Sequence, residues 1–145
     1  MKCLIAIDPG KTGAVAVQLD GQVYAEKCPD NETEMSDIIR DAVNQADSVF
    51  CIIEAVGSRP QNGVKSMFTF GRNYGAWLGI LSAMKVPYLA VRPQKWQKQI
   101  DGLPREKKAR KNALKAYAAA RYPHISVTLA NADALAMLTI IEEVK

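Results

Sequence analysis

The order of apolar patterns along this sequence predicts an α/β fold, a mixed five-stranded sheet with helices on both faces. Three observations carry that reading. Short β-prone runs joined by tight turns open the chain, which makes an antiparallel meander. Residues 49–53 (VFCII) are apolar without alternation, as in a parallel strand buried on both faces. Segments of helical periodicity then alternate with short strands. The predicted order is β-β-β-α-β-α-β-α-α.

Each element has a local reason. Residues 2–7 (KCLIAI) form a strand that stops at Asp8-Pro9-Gly10, and residues 13–19 (GAVAVQL) form the second. Asp20-Gly21 is a two-residue hairpin turn leading into a third strand over 22–27. In 32–46, Met35, Ile38, Ile39, Ala42, Val43 and Ala46 fall on one helical face. The strand at 49–53 ends at Glu54. Residues 57–63, rich in Gly, Pro, Asn and Ser, read as a loop. A long helix is expected over 64–84, a strand over 86–91 and a helical turn from Pro93 to Trp96. Pro104 suits the first turn of a helix reaching Tyr122, where Pro123 stops it. A last helix is expected from Asn131 through ALAMLTII to residue 145, with Asn131 as its cap and Asp133 favoured by the helix dipole.

The size, 145 residues and 15.9 kDa, fits one domain over 1–145. With 48% apolar and 23% charged residues, the composition excludes disordered and collagen-like classes. No apolar stretch approaches the roughly 18 residues of a membrane span, and the first residues lack a signal-peptide pattern. Cys3, Cys28 and Cys51 are odd in number and show no CxxC spacing, which points to a reducing, cytoplasmic setting without a disulfide scaffold or zinc site. A single histidine, His124, excludes His-based metal clusters.

Charge is unevenly placed. The net charge is +4, yet residues 95–121 alone carry +7 and the remainder −3. A basic element on a mildly acidic body suggests a polyanionic partner. Lys107, Lys111 and Lys115 are spaced by four, with Lys108 beside them, so they share a helix side suited to phosphate contacts that position a substrate without reading its sequence. Arg59 and Lys65, both in the loop expected over 58–66 (SRPQNGVKS), are further candidates for DNA contact.

Three acids occupy apolar surroundings. Asp8 follows one apolar strand, Glu54 follows another, and Asp133 lies in ANADALAMLTII. Ionised carboxylates near a core cost several kcal/mol unless they are paired or bind a cation. If the strands ending in Asp8 and Glu54 are parallel neighbours, both acids emerge at one sheet edge, where a helix N-terminus can bring Asp133. Three hard oxygen donors suit Mg²⁺ or Mn²⁺. Two such ions about 3.5–4 Å apart support phosphodiester hydrolysis.

These residues give the chain a family resemblance over essentially its whole length. IAIDPGKTGAVAV (5–17), CIIEAV (51–56), FTFGRNYGAWLGIL (68–81), VRPQKWQK (91–98) and ADALAM (132–137) occur in an order that resembles the RuvC-like Holliday junction resolvases of the RNase H-like superfamily, especially small phage-type members. The resemblance implies an RNase H-like fold and a homodimer that binds four-way DNA junctions in a bacterial or phage-infected cell. It also implies paired, symmetric incisions with two Mg²⁺ or Mn²⁺ ions per site. It assigns metal binding and catalysis to Asp8, Glu54 and Asp133, and places the basic helix near the scissile phosphate, where Lys108 or Lys111 would stabilise charge. Two positions depart from the family pattern. Where relatives commonly carry a fourth acidic ligand, this chain has Ala130, and Asn131 is the nearest residue able to offer an oxygen. Where some relatives carry a junction-stacking aromatic, it has Gly57, with Phe68 and Phe70 further along.

Three alternatives belong beside that reading. The same chemistry serves flap, fork or hybrid nucleases of the superfamily. The missing fourth acid fits a junction-binding protein that does not cut. Asp8–Gly13 (DPGKTG) looks like the phosphate hairpin of actin-like ATPases, which close two domains around a nucleotide. In the 64–84 helix, Phe68, Gly71, Gly75, Leu78, Gly79 and Ser82 suggest close helix approach, either to a second copy or to the sheet. Trp77 and Trp96 are expected as core anchors.

Overall fold

The computed structural model describes residues 1–55, 57 and 63–141. Strands β1 (Lys2–Asp8), β2 (Ala14–Leu19) and β3 (Gln22–Lys27) form the meander. Helix α1 (Glu32–Gln45), β4 (Ser48–Glu54), α2 (Val64–Ala83), β5 (Tyr88–Val91), the short α3 (Pro93–Gln97), α4 (Lys107–Arg121) and α5 (Ala132–Thr139) follow. The sheet order is β3-β2-β1-β4-β5. The β1–β2 and β2–β3 pairs are antiparallel, and β1–β4 and β4–β5 are parallel. The mixed five-stranded sheet is therefore as predicted.

The β2–β3 turn explains its sequence. Asp20 and Gly21 both have positive φ, 51° and 83°, which a primed turn requires. Asn31 caps α1 by accepting the Glu34 N–H at 2.8 Å.

Alternation along the central strands sorts the two faces. Cys3, Ile5, Ile7, Cys51 and Ile53 pack with Met35 and Ile39 of α1 and with Trp77 and Leu81 of α2. Leu4, Ala6 and Ile52 pack on the opposite face with Leu114 and Ala118 of α4 and with α5. Residues 134–138 of α5 are all buried, since α5 lies against β1 and β2 with α4 beside it. Trp77 and Trp96 are both fully buried, as expected of core anchors.

Several boundaries differ from expectation for local reasons. The expected strand at 86–91 begins only at Tyr88. Pro87 has no N–H to give a ladder, although its carbonyl accepts from Cys51 N–H at 3.0 Å. The helix expected from Pro104 begins at Lys107, because the Glu106 carboxylate caps it by accepting Ala109 N–H. The last helix ends at Thr139, with Ile140 as its C-cap, and residues 142–145 lie outside the described part. Asn131 precedes α5 but makes no side-chain cap there. Its Oδ1 accepts Thr128 N–H at 2.8 Å and its Nδ2 donates to the Ser126 carbonyl at 3.2 Å. Packing of the α2 glycines on the sheet is not what this fold shows. Cβ atoms built on Gly71, Gly75 and Gly79 meet nothing within 4 Å, so that stripe faces outward.

Candidate metal centre

The sheet register brings the first two acids together. Ile7 pairs with Ile53 across the parallel β1–β4 ladder, so Asp8 and Glu54 occupy the next rung, where strands run about 4.8 Å apart. The two-residue period puts both on the face of Leu4, Ala6, Phe50 and Ile52, the one covered by α4 and α5. Asp133 enters from the first turn of α5. All three acids are partly buried.

Their electrostatics show proximity. Burial pushes the Asp8 carboxyl well above the ordinary carboxylate range, the charges of Glu54 and Asp133 push it further, and Lys111 opposes them. Burial also raises Asp133, against the pull of Lys111 and Arg110. Among the described residues, neither the Asp8 nor the Asp133 carboxylate has a hydrogen bond or an ion pair. Glu54 is held differently, since its Oε2 accepts the buried indole N–H of Trp96 at 2.8 Å.

The backbone beneath Asp8 is fixed from several sides. Cys28 Sγ–H donates to the Asp8 carbonyl at 3.3 Å. Burial first, and the Asp8 charge second, push that thiol up to about 12, so it stays a protonated donor. A Cβ at Gly13 would lie 1.9 Å from the same carbonyl oxygen, so only glycine fits there. Gly10, at φ +115°, donates its N–H to Asn73 Oδ1 of α2 at 2.8 Å.

Partly buried carboxylates are the donor type that a hard divalent cation takes, and the Glu54 and Asp133 charges disfavour ionisation of Asp8. The three do not form a closed cage. Among the described residues, no three His, Cys, Asp or Glu side chains converge closely enough to hold an ion. Asn131, the expected neutral ligand, has its oxygen engaged by Thr128 N–H, and Ala130 is exposed.

The predicted basic residues divide into groups. Lys111 reaches the acids electrostatically from α4. Lys107, Lys108 and Lys115 are exposed on the same helix. Lys65 is exposed at the start of α2, and Arg59 lies outside the described residues. Sequence reasoning missed three contributors. Arg110 reaches Asp133 from the half-buried side of α4. Asn73 anchors the loop after Asp8, and Trp96 was expected as core without its hydrogen bond to Glu54. Only P-x₂-W, placed just after a strand neighbouring the one that ends in Glu54, signalled the last of these.

Comparison with solved structures identifies the fold. Thermus thermophilus RuvC in complex with a Holliday junction substrate superposes with a TM-score of 0.60 at 16% identity, covering 95% of this chain and 90% of that one. A second structure of T. thermophilus RuvC gives a TM-score of 0.57 at 17% identity, covering 94% and 90%. The chain thus has the RuvC-type RNase H-like fold. No family model matches the sequence, and no curated protein sequence matches it.

Proposed function

We propose that this chain is a divalent-metal-dependent endonuclease that resolves four-way DNA junctions by paired phosphodiester hydrolysis. The observation that carries the proposal is the shared rung of Asp8 and Glu54, with Asp133 close enough that its charge raises the Asp8 carboxyl. Asp8, Glu54 and Asp133 hold Mg²⁺ or Mn²⁺, two ions per site, and Asn131 has only the second lone pair of an oxygen that already accepts Thr128 N–H to offer them. The bound metal supplies Lewis-acid activation of water and neutralises charge on the phosphate. Trp96 holds Glu54 in place, and Lys111 adds positive charge beside the acids. Lys107, Lys108 and Lys115 of α4, with Lys65 of α2, contact backbone phosphates, and Arg59, outside the described residues, is assigned the same role from the sequence.

The T. thermophilus RuvC structure with a bound junction supports branched DNA as the substrate class. Paired incision requires a homodimer, and the outward stripe of α2, with Val64 and Phe68 at 88% and 72% exposure and open space over Gly71, Gly75 and Gly79, offers the surface for it. The proposed setting is the cytoplasm of a bacterial or phage-infected cell. None of the described helices is long and apolar enough to cross a membrane.

A second reading, a junction binder that does not cut, is favoured by the open spacing of the acids and the engaged oxygen of Asn131. Incubation of a synthetic four-way junction with Mg²⁺ and then Mn²⁺ separates the two. Symmetric nicks that fall by about 10³-fold or more in Asp8→Asn establish the resolvase. Tight binding without nicks in either metal establishes the binder. Preferential cutting of flaps, forks or RNA–DNA hybrids would reassign the substrate within the same chemistry.

A further inference from the structure

A second concavity lies across the end of the sheet from the acids. It has a volume of about 340 Å³ and is walled by Lys11 and Thr12 of the β1–β2 loop and by Lys65, Ser66, Thr69 and Phe70 of α2. We infer that this pocket is a phosphate-binding subsite that seats the backbone of a nucleic-acid strand a few nucleotides from the one at the carboxylates.

The chemistry of the walls is one-sided. Two lysines and three hydroxyls face a space whose lining, among the described residues, holds no acid. Among the described residues, none of those five side chains has a hydrogen bond or an ion pair, so their donors are unspent. Ammonium groups and hydroxyls gathered without a carboxylate suit an anion with several acceptor oxygens.

The pocket is also held in shape. Gly10 N–H is tied to Asn73 Oδ1 at 2.8 Å, and Gly13 N–H to the Gly10 carbonyl at 3.0 Å. The Phe70 ring lies 3.3 Å from where a Gly10 Cβ would stand, which closes the floor between loop and helix. Lys11 and Thr12 are therefore presented on a fixed loop. Lys11 is three residues from Asp8, at most about 11 Å along the chain. The acids face α5 and the pocket faces α2, so a strand laid over the end of the sheet meets both.

Naming a nucleic-acid strand as the owner of the phosphate rests on the function proposed above, while the pocket's affinity for phosphate does not. The test uses the full chain with a four-way junction, in buffer without divalent metal, over a range of salt. Each phosphate contact contributes about 0.9 to the slope of log K against log salt. Combining Lys11→Gln with Lys65→Gln removes the one phosphate seat and is expected to lower that slope by about 0.9, with an unchanged melting curve. Lys107→Gln, on the other side of the acids, lowers it by about 0.9 and serves as the control for the parent reading. An unchanged slope in the double variant, with the control shifted, overturns the subsite. If the unaltered chain binds no nucleic acid, the parent function fails and a second arm decides. Pyrophosphate and ATP are then titrated while the amide resonances of residues 10–12 and 65–70 are followed. Saturable shifts lost in Lys11→Gln assign the pocket to a free nucleotide phosphate, and no shifts overturn it.

Discussion

The two faces of the central strands end in opposite ways. Towards α1 and α2, β1 and β4 finish on Ile7 and Ile53, both with no exposed surface. Towards α4 and α5, one residue further, they finish on Asp8 and Glu54. A period of two lets one strand close a core on one side and raise an acid on the other. The closed face is built for stability. The open face gives up stability, because burial holds Asp8 and Asp133 with their carboxyls raised and, among the described residues, without a hydrogen bond or ion pair.

Breaking the closed face gives the largest expected change in stability. Ile53→Ala removes buried methylenes beside Cys51, Trp77 and Leu81, and a core truncation of this kind costs about 2–5 kcal/mol. Thermal or urea unfolding measures it. Because Ile53 points away from the acids, the increase in Tm expected from Mg²⁺ on the proposed site is expected to stay as in the unaltered protein. A variant that loses that increase would show that the two faces are not separable.

Breaking the open face reverses the sign. The folded-state carboxyls of Asp8 and Asp133 are raised, so the folded chain keeps protons that the unfolded chain has already released. Their contribution to stability is full below the ordinary carboxylate range and is lost as pH rises towards the raised values. The metal-free protein therefore loses stability from about pH 4 upwards on account of these two groups. Asp8→Asn removes a carboxyl whose ionised form burial disfavours, and is expected to raise the metal-free Tm at pH 7 by roughly 3 °C, the shift for about 1 kcal/mol at this size. On the proposed metal site, the same change is expected to abolish stabilisation by Mg²⁺, which for any ligand of the folded chain reaches about 2.7 kcal/mol at a hundred times Kd. Paired melts in EDTA and in Mg²⁺ check both halves. A lower metal-free Tm in Asp8→Asn would show that the carboxylate stabilises the fold by itself.

The same alternation explains how much of the fold and site is legible in the sequence. A short unbroken run such as CLIAI or VFCII, rich in β-prone residues, reads as a strand covered on both sides, and an acid at its end has to be justified. That logic sets Asp8 and Glu54 on one edge, and the tight Asp20-Gly21 turn fixes the meander beside them. Long-range hydrogen bonds leave no periodic trace. Asn73 meets Gly10 across 63 positions and Trp96 meets Glu54 across 42, and neither residue type announces its partner. Spacing by four selects Lys107, Lys111 and Lys115 as one row. It passes over Arg110, which the rotation of α4 on α5 brings to Asp133. The glycines of α2 promise close packing, but which body they pack against is not encoded in their spacing.

The smallest expected effect sharpens the comparison most, because it concerns one hydrogen bond on the open face. Trp96 contributes its ring to the apolar cluster under α4 and α5 and its N–H to Glu54. Trp96→Phe keeps much of the ring and removes the donor. A hydrogen bond to a charged group contributes about 1.5–3 kcal/mol. The lower end of that range corresponds to roughly tenfold weaker Mg²⁺ binding if Trp96 aims Glu54 towards the metal. Calorimetric titration with Mg²⁺ measures it, and Leu114→Ala supplies the contrast, since Leu114 packs on the same face without touching Glu54 through a hydrogen bond. Both variants lose packing, but only Trp96→Phe is expected to lose metal affinity. Equal affinities in the two would reduce Trp96 to a core residue and leave the orientation of Glu54 to the strand alone.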